Sequence, residues 1–421
     1  DNRVTGDILT TAYTTASFTN KNVGTGITIN VSGISISGTD SGNYNLTNTT
    51  ATSSANITAK HITGTFTADN KIYDGNTSAT VLTRALEGTI HGDTVTLTVG
   101  TATFANKNVG TGKIVTLTDA ILDGTDKGNY ILDSVATTTA NITRRDITVS
   151  ATGVEKVYDG TLTATVTLSD YRVTGDILTA AYTTATFANK NVGIGITINV
   201  TGISITGTDS GNYNLTNTTA TTSANITAKH ITGNFTADSK IYNGSTTASV
   251  LTRSLVGVIA EDVVNLDDGT ANFNDKNVGN NKTVTLTGAV LGGSDKNNYV
   301  LDSVATTTAN ITVKHITGNF TAENKIYDRT TSAIVLTRTL NDVILSDTVT
   351  LVGGTATFAD KNVGTGKIVT LSGASLDGID KNNYTLDSVA TTTANISVKH
   401  ITGNFTANNK VYDATSSAVV L

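Results

Sequence analysis

The chain has 421 residues, 28 of them basic and 34 acidic, and it contains no Cys, Met, Trp or Pro. The lack of Cys excludes disulfide bonds and thiolate metal sites, so each folded unit must be held together by packing alone. The formal net charge of −6 is mild and both signs are interspersed, which argues against a nucleic-acid partner. No apolar run approaches the roughly 20 residues that a membrane-spanning helix needs.

The sequence is a tandem repeat with a period of about 85 residues, defined by three motifs. The motif Lys-[Ile/Val]-Tyr-[Asp/Asn] places Tyr73, Tyr158, Tyr242, Tyr327 and Tyr412 at spacings of 85, 84, 85 and 85. The motif [Asn/Asp]-Lys-Asn-Val-Gly ends at Gly24, Gly110, Gly193, Gly279 and Gly364. An Asn-Tyr pair after an Asp-containing turn places Tyr44, Tyr130, Tyr213, Tyr299 and Tyr384. A fixed long period predicts one structural unit copied in tandem, which favours a fibre or stalk over an enzyme.

We place the repeat boundaries before the Ile-Thr-Gly or Ile-Thr-Val segments. Repeat 1 is then a partial immunoglobulin-like module, repeats 2 to 5 are whole modules, and repeat 6 holds the first strands of a further module. Their ranges are 1–60, 61–145, 146–229, 230–314, 315–399 and 400–421. Repeats 1 and 3 share one sequence type and repeats 2, 4 and 5 another. This alternation either limits misfolding between neighbours or reflects duplication of a two-repeat block.

Repeat 2 illustrates the predicted strands. Apolar or β-branched residues alternate with polar ones in segments such as Asp93–Thr98, the period of half-buried strands. Gly, Asn and Asp clusters provide the turns between the segments. The predicted strands lie near 62–67, 78–84, 93–98, 101–105, 113–118, 129–133 and 135–143. Seven short strands in about 85 residues predict an all-β protein, a linear tandem array of immunoglobulin-like β-sandwich modules.

Aromatic residues recur at fixed positions in the repeats and are predicted to lie in the cores. The nine Phe occupy two positions, on the first strand at Phe66, Phe235, Phe320 and Phe405 and on the fourth at Phe18, Phe104, Phe187, Phe273 and Phe358. The segment Asp126-Lys-Gly-Asn-Tyr130 predicts a tyrosine corner, in which the hydroxyl bonds back to the preceding loop.

Four segments that recur in the same order within the repeats carry a family resemblance. The first is Lys-Val-Tyr-Asp-Gly, seen at Lys156–Gly160 in repeat 3, and the other three are quoted from repeat 2: Thr101-Ala-Thr-Phe-Ala-Asn-Lys-Asn-Val-Gly110, Gly128-Asn-Tyr130 and Thr137-Thr-Thr-Ala-Asn-Ile-Thr143. Together they resemble the YDG-domain tandem repeats of large bacterial surface proteins, including haemagglutinin-like adhesins. The resemblance implies an extracellular spacer module and identifies no ligand. Asn243, Arg329 and Ala414 depart from the motif, which fits a turn better than a catalytic or metal signature.

Candidate chemistry is weak throughout, and we predict no catalytic, cofactor-binding or metal site. His61, His230, His315 and His400 lie at repeat boundaries and His91 in a loop, without a second ligand, so solvent-facing positions are favoured. The acidic turns at 123–126, at Asp262 with 267–268, and at 377–380 are candidates for calcium. None has the spacing of a calcium loop, so turn chemistry is favoured.

Two further modifications remain open. The motif lysines, Lys71, Lys156, Lys240, Lys325 and Lys410, are candidates for isopeptide bonds to Asn, which need a buried Lys, Asn and carboxylate in contact. Asn56, Asn141, Asn225 and Asn310 stand in Asn-x-Thr sequons, for which a structural role is favoured over glycosylation.

The repeats follow one another without Pro or a Gly/Ser linker, as in Ala55–Thr63, which predicts restricted hinges. From strand lengths we expect four to five repeats to span about 150–200 Å. Repeat 6 and repeat 1 together supply nearly one unit, so either the array continues beyond this segment or neighbouring copies join by β-strand addition. The predicted function is a non-catalytic stalk or filament module of an extracellular bacterial adhesin at the cell surface. The alternative is a ligand-binding repeat that recognises glycan or another surface through Thr-rich sheet faces.

Overall fold

The computed structural model describes residues 2–421 and is an all-β array of short sheets. Repeat 1 contains β1 Thr10–Ala12, β2 Thr15–Phe18, β3 Gly24–Ser32, β4 Ser35–Ser37 and β5 Thr50–Ile57. Repeat 2 contains β6 Lys60–Ala68, β7 Lys71–Ile72, β8 Val81–Glu87, β9 Thr96–Phe104, β10 Gly110–Asp123, β11 Tyr130–Val135 and β12 Thr138–Thr143.

Repeat 3 contains β13 Arg145–Ile147, β14 Ser150–Gly153, β15 Lys156–Val157, β16 Val166–Ser169, β17 Thr179–Ala181, β18 Thr184–Phe187, β19 Gly193–Thr201, β20 Ser204–Thr206, β21 Tyr213–Leu215 and β22 Thr219–Thr227. Repeat 4 contains β23 Lys229–Ala237, β24 Lys240–Ile241, β25 Thr247–Ala248, β26 Val250–Val256, β27 Asn265–Phe273, β28 Gly279–Gly292, β29 Tyr299–Val304 and β30 Thr307–Thr312. Repeat 5 contains β31 Lys314–Ala322, β32 Lys325–Ile326, β33 Val335–Leu340, β34 Thr350–Phe358, β35 Gly364–Asp377, β36 Tyr384–Val389 and β37 Thr392–Ser397. Three-residue 3-10 helices precede the tyrosines of the Asn-Tyr pairs, at Ser41–Asn43, Lys127–Asn129, Ser210–Asn212, Lys296–Asn298 and Lys381–Asn383.

The chain divides into two compact units, and repeat 3 contributes to both. The first unit holds the residues up to 155 together with 162–189 and 195–224. The second holds 156–161, 190–194 and the residues from 225 onward. The two short segments of repeat 3 that belong to the second unit carry its Lys-Val-Tyr-Asp and Lys-Asn-Val-Gly motifs.

Repeat 2 is built from two sheets that share one core. In the smaller sheet β6 pairs in parallel with β11 and antiparallel with β8. The larger sheet has the order β7-β12-β10-β9, and only its β7–β12 pair is parallel. Phe66 of the smaller sheet and Phe104, Val115 and Ile142 of the larger one lie in the same buried cluster. Repeats 4 and 5 reproduce these strand orders, with β25 added at one edge in repeat 4.

The all-β prediction is confirmed, and the strand divisions of repeat 2 need correction. The strands predicted at 93–98 and 101–105 form a single strand, β9, because the pairing with β10 keeps one register from Val99 to Thr101. Val99 and Gly100 have positive φ of 58° and 90°, but the strand continues through them. The two-residue strand β7 was missed because two residues carry no period. The immunoglobulin-like description stays a prediction.

The two sequence types differ in one hairpin. In repeats 2, 4 and 5 it runs unbroken, as in β9 and β10 with 9 and 14 residues. In repeat 1 it is interrupted, so that β1 pairs with β4 and β2 with β3, and repeat 3 has the same division. At the interruption Gly33 has φ of 67°, and a Cβ there would lie 2.1 Å from Thr14 Oγ1. Only glycine fits at this crossing.

The predicted core phenylalanines are buried in repeats 2 to 5, namely Phe66, Phe104, Phe187, Phe235, Phe273, Phe320 and Phe358. The core prediction is wrong for Phe18, Phe405 and Tyr412, which are 40%, 72% and 91% exposed. Repeats 1 and 6 are partial and lack the opposing strand that covers the phenylalanine in a whole repeat. Residues 400–421 are exposed throughout and form one isolated bridge, Ala407 to Val420. Within residues 2–421, no helix has the length and apolarity to cross a membrane.

A core truncation tests the two-sheet arrangement. Ile142→Ala removes a side chain that is 1% exposed, and we expect a loss of about 2–5 kcal/mol in the local free energy of unfolding of repeat 2. Ile114→Ala is the control, because Ile114 on the neighbouring strand is 53% exposed. Amide hydrogen exchange in β10 and β12 measures both. Equal effects of the two substitutions would contradict the assignment of faces.

Candidate functional site: the junction between repeats

The Lys-Ile-Tyr-Asp motif forms a closed loop at the edge of each larger sheet. In repeat 2 the short parallel pairing of β7 with β12 ends at Ile72, and Tyr73 follows directly. Lys71 Nζ donates to Asp74 Oδ1 at 2.7 Å and to the Asn76 carbonyl at 2.8 Å, while Asp74 Oδ1 accepts from the Asn76 N–H. These bonds close the loop and direct Tyr73 out of its own sheet.

Tyr73 reaches across to the next repeat. Its hydroxyl donates to the Asp176 carboxylate, at 3.0 Å from Oδ1 and 2.8 Å from Oδ2. Tyr213, the Asn-Tyr tyrosine of repeat 3, donates to Asp176 Oδ2 at 2.7 Å and accepts from the Val173 N–H. The two rings pack edge to face with centroids 5.5 Å apart, a favourable arrangement for aromatic pairs. One carboxylate thus joins the two tyrosine motifs of neighbouring repeats.

The Lys-Asn-Val-Gly motif supplies the charge that balances this carboxylate. Lys107 Nζ lies 2.8 Å from Asp176 Oδ1 and 5.8 Å from the centre of the Tyr73 ring. The Asp176 side chain is only 1% exposed, whereas that of Lys107 is 37% exposed. A buried carboxylate needs such partners, because its desolvation is otherwise costly.

A second set of bonds flanks the carboxylate. The Val109 N–H donates to Asn212 Oδ1 at 2.9 Å, and Asn212 Nδ2 donates to Asn108 Oδ1 at 3.2 Å. Asn212, which directly precedes Tyr213, is buried. The Asn of one motif therefore docks onto the backbone of the other in the adjacent repeat.

The motif requires a glycine for two reasons, its positive φ and the close approach of the next repeat. Gly75 has φ of 83°, and a Cβ on it would lie 2.6 Å from Val173 Cγ1 of the next repeat. The apolar contact continues beneath it, since buried residues of repeats 2 and 3 belong to one hydrophobic cluster. The junction thus combines a buried ion pair with continuous apolar packing.

The second compact unit contains the same junction twice. Asp262 accepts from Tyr158 at 2.8 Å and Tyr299 at 2.6 Å, with Lys190 at 3.5 Å. Asp347 accepts from Tyr242 at 2.6 Å and Tyr384 at 2.7 Å, with Lys276 at 2.7 Å. The asparagine bonds recur at Val192 with Asn298 and at Val278 with Asn383. A Cβ on Gly160 or Gly244 would meet Ile259 or Ile344 at 3.0 and 2.9 Å.

The junction between repeats 1 and 2 contains part of this set. Lys21 Nζ lies 2.9 Å from Asp93 Oδ1, and the Val23 N–H donates to Asn129 Oδ1 at 2.9 Å. Asp93 also accepts from Tyr130, and its side chain is 12% exposed. A cleft of about 300 Å³ adjoins Asp93 where the other junctions hold a motif tyrosine.

Burial and hydrogen bonding perturb the titration of the junction groups. Burial alone would raise the pKa of Asp176, but bonds from Lys107, Tyr213 and Tyr73 outweigh it and lower that pKa below the usual carboxyl value. Burial, followed by the bond to Asp176, raises the pKa of Tyr213 to about 12. Burial and the bond to Asp262 likewise raise the pKa of Tyr158 to about 12. The junction therefore favours an ionised aspartate between neutral tyrosines.

The structure places the other sequence candidates elsewhere. His61, His230 and His315 are exposed, and each pairs with an aspartate across the parallel strands, as in His61 Nδ1 to Asp133 Oδ1 at 2.6 Å. Within residues 2–421 no group of three acidic or histidine side chains is arranged to hold a metal ion. In the acidic turns, Asp123 and Asp377 pair with lysines, and Asp126 and Asp380 accept backbone N–H groups.

The sequon asparagines and the motif lysines also have structural contacts. Asn141 accepts from the Gly112 N–H at 2.8 Å, and Asn56 and Asn310 make the equivalent bond with the N–H groups of Gly26 and Asn281, as the structural interpretation predicted. Lys71 does contact both a carboxylate and an asparagine, but Thr161, Ser245, Thr330 and Thr415 replace that asparagine in repeats 3 to 6.

Comparison with protein families matches the YDG domain at residues 1–52, 58–140, 143–223, 227–309 and 307–394. The chain belongs to the YDG domain family. Comparison with curated proteins gives no match. The Tyr, Asp and Gly of the YDG motif thus coincide with the loop that meets the next repeat.

Two aspects of this site differ from the sequence prediction. The sequence marks Asp262 only as a calcium candidate, whereas the structure assigns it to the junction. The tyrosine-corner hydroxyl does bond to a loop, but Tyr130 reaches Ile90 and Asp93, 40 and 37 residues upstream, instead of the turn before it. A regular recurrence of Asp7, Asp93, Asp176, Asp262 and Asp347 was the available signal.

Removing the acceptor tests the junction. Asp347→Ala leaves Tyr242, Tyr384 and Lys276 without their common partner, and we expect a loss of about 3 kcal/mol in the local free energy of unfolding. Hydrogen exchange in the loops of repeats 4 and 5 together reports this loss. Asp377→Ala is the control, since its carboxylate pairs with Lys381 in an exposed ion pair. An effect confined to repeat 5 would contradict a shared junction.

Alkaline titration tests the neutral tyrosines. Because the pKa of Tyr213 is about 12 in the folded chain and about 10 in an unfolded one, its stabilising contribution is complete below pH about 10. That contribution is lost as the pH rises through about 12. Thermal unfolding followed together with tyrosinate absorbance should show this loss, and Tyr213→Phe should reduce it. Ionisation of every tyrosine near pH 10 in the folded chain would refute the assignment.

Proposed function

We propose that this chain is a non-catalytic structural segment of an extracellular bacterial surface adhesin, a stalk or filament at the cell surface. The observation that carries the proposal is that the motif residues of one repeat contact the following repeat. Tyr73, Lys107 and Gly75 are engaged with Asp176, Tyr213 and Val173 of the following repeat. Because the residues of the family motif contact the next repeat, they support a role in fixing the orientation of neighbouring repeats.

The chemistry of the junction supports a mechanical role over a catalytic one. The Asp176 carboxylate accepts three donors, and its side chain is nearly inaccessible to solvent. Catalysis would need a reactive group open to substrate, as well as donors not already committed to other bonds. A buried, fully bonded ion pair instead resists reorientation of the two repeats, which is what a stalk requires.

Neighbouring copies of the same array are the partners in this proposal, joined by β-strand addition. Repeat 6 carries the motif residues Lys410 and Tyr412 on an exposed segment, and repeat 1 with repeat 2 presents the cleft beside Asp93. A motif tyrosine in that cleft would complete the set of contacts seen at the other junctions.

Small-angle scattering of the purified chain tests the stalk. We expect a maximum dimension of about 150–200 Å from strand lengths, retained when salt is raised because the ion pairs are buried. The matched variant carries Asp176→Ala, Asp262→Ala and Asp347→Ala together, and we expect its scattering to show flexibly linked repeats.

Three outcomes would count against the proposal. They are a compact particle, identical scattering from the triple variant, and saturable binding on a glycan array. The last would favour the ligand-binding alternative on the Thr-rich faces. Scattering at rising concentration separately reports association between copies.

A further inference from the structure

The motif loop of repeat 4 differs from the others in its charge. In repeats 2, 3, 5 and 6 the motif lysine pairs with an aspartate three residues later, at 2.7 to 3.0 Å. In repeat 4 that position is Asn243. In the part of the chain that the structure describes, Lys240 has no carboxylate partner, and its Nζ donates to Asn243 Oδ1, Ser245 and the Thr247 carbonyl. Burial lowers the pKa of the Lys240 amine.

The next residue makes this asparagine chemically distinctive. Asn243-Gly244 is the single Asn-Gly pair in the 421 residues. Glycine has no side chain to hinder attack by its own backbone nitrogen on the preceding amide carbon. Asn243 is exposed, so water reaches the amide.

The surrounding donors polarise that amide. Asn243 Oδ1 accepts from Lys240 Nζ at 2.9 Å, from the Ser245 N–H at 3.1 Å and from Ser245 Oγ at 3.0 Å. Donors on a carbonyl oxygen, one of them cationic, stabilise the negative charge that develops there when a nucleophile adds to the carbon. The loop therefore supplies oxyanion-type donors to the amide that the next backbone nitrogen would attack.

We propose that Asn243 is a site of spontaneous deamidation that supplies the missing carboxylate beside Lys240. The Gly244 nitrogen adds to Asn243 Cγ and its proton passes to the side-chain nitrogen, so that the Cγ–Nδ2 bond breaks and ammonia leaves. The resulting succinimide ring is opened by one water molecule, which gives aspartate or isoaspartate. No oxidant, reductant or second protein is required.

The two products have different consequences for the junction. Aspartate reproduces the lysine–aspartate contact of the other repeats and strengthens the loop that holds Tyr242 against Asp347. Isoaspartate adds a methylene group to the backbone next to Gly244. There is little room for it, because a Cβ on Gly244 would already lie 2.9 Å from Cγ2 of Ile344. Aspartate is therefore the product that the folded loop accommodates.

Timed incubation of the full chain at mildly alkaline pH tests the proposal, with peptide mapping to locate and identify the products. We expect Asn243 to convert at least about tenfold faster than Asn281, which lies at a register shift in β28 and is followed by Lys282. A tenfold difference is modest for such donors, since the loss of one oxyanion donor typically slows a reaction about 10²–10³-fold. Aspartate should exceed isoaspartate in the folded chain. The same chain in urea should convert more slowly or with isoaspartate in excess.

Two results would overturn the proposal. One is an Asn243 that remains an amide in the folded chain while it converts in urea, because the fold would then protect it. The other is an unchanged folded-state rate in Lys240→Gln, which removes the cationic donor. The variant Asn243→Asp serves as the product standard, and we expect about threefold slower amide exchange in its motif loop, as for a modest ion pair.

Discussion

The array depends on a buried aspartate whose hydrogen-bond donors come from two neighbouring repeats. Its two tyrosine donors come from different repeats, and its lysine comes from the earlier one. Asp347 is fully inaccessible to solvent and Asp93, which lacks a motif tyrosine, is 12% exposed. The carboxylate receives all of its donors only when the two repeats are docked together. Because an unpaired carboxylate is costly to bury, this arrangement is strongly favoured.

This constraint explains why the family motif has its particular residues. The lysine and aspartate close the loop, the tyrosine crosses to the next repeat, and the glycine leaves room for that repeat's Val or Ile side chain. The Lys-Asn-Val motif contributes a charge and a backbone donor from the other side of the junction. Motifs that are far apart in sequence therefore form one interface.

The sequence was sufficient for the fold class and for the phenylalanine core of repeats 2 to 5, since alternation and fixed aromatic positions depend on local patterns. It was insufficient for the junction, because Tyr73 and Asp176 are 103 residues apart and lie in different repeats. The pattern within one repeat predicts that the tyrosine lies in the core of that repeat. It does not reveal that the tyrosine hydroxyl binds an aspartate of the next repeat. The sequence also could not show that β9 is one strand, because Gly100, which lies inside that strand with a φ of 90°, has the same sequence signal as a Gly in a turn.

The most direct measurement of the central claim is a double-mutant cycle between Tyr242→Phe in repeat 4 and Asp347→Ala in repeat 5. Each variant removes one side of the same hydrogen bond without altering the ring packing of Tyr242. The account predicts a coupling energy of about 1–3 kcal/mol across the junction, measured by hydrogen exchange in both repeats. Additive effects of the two substitutions would contradict it.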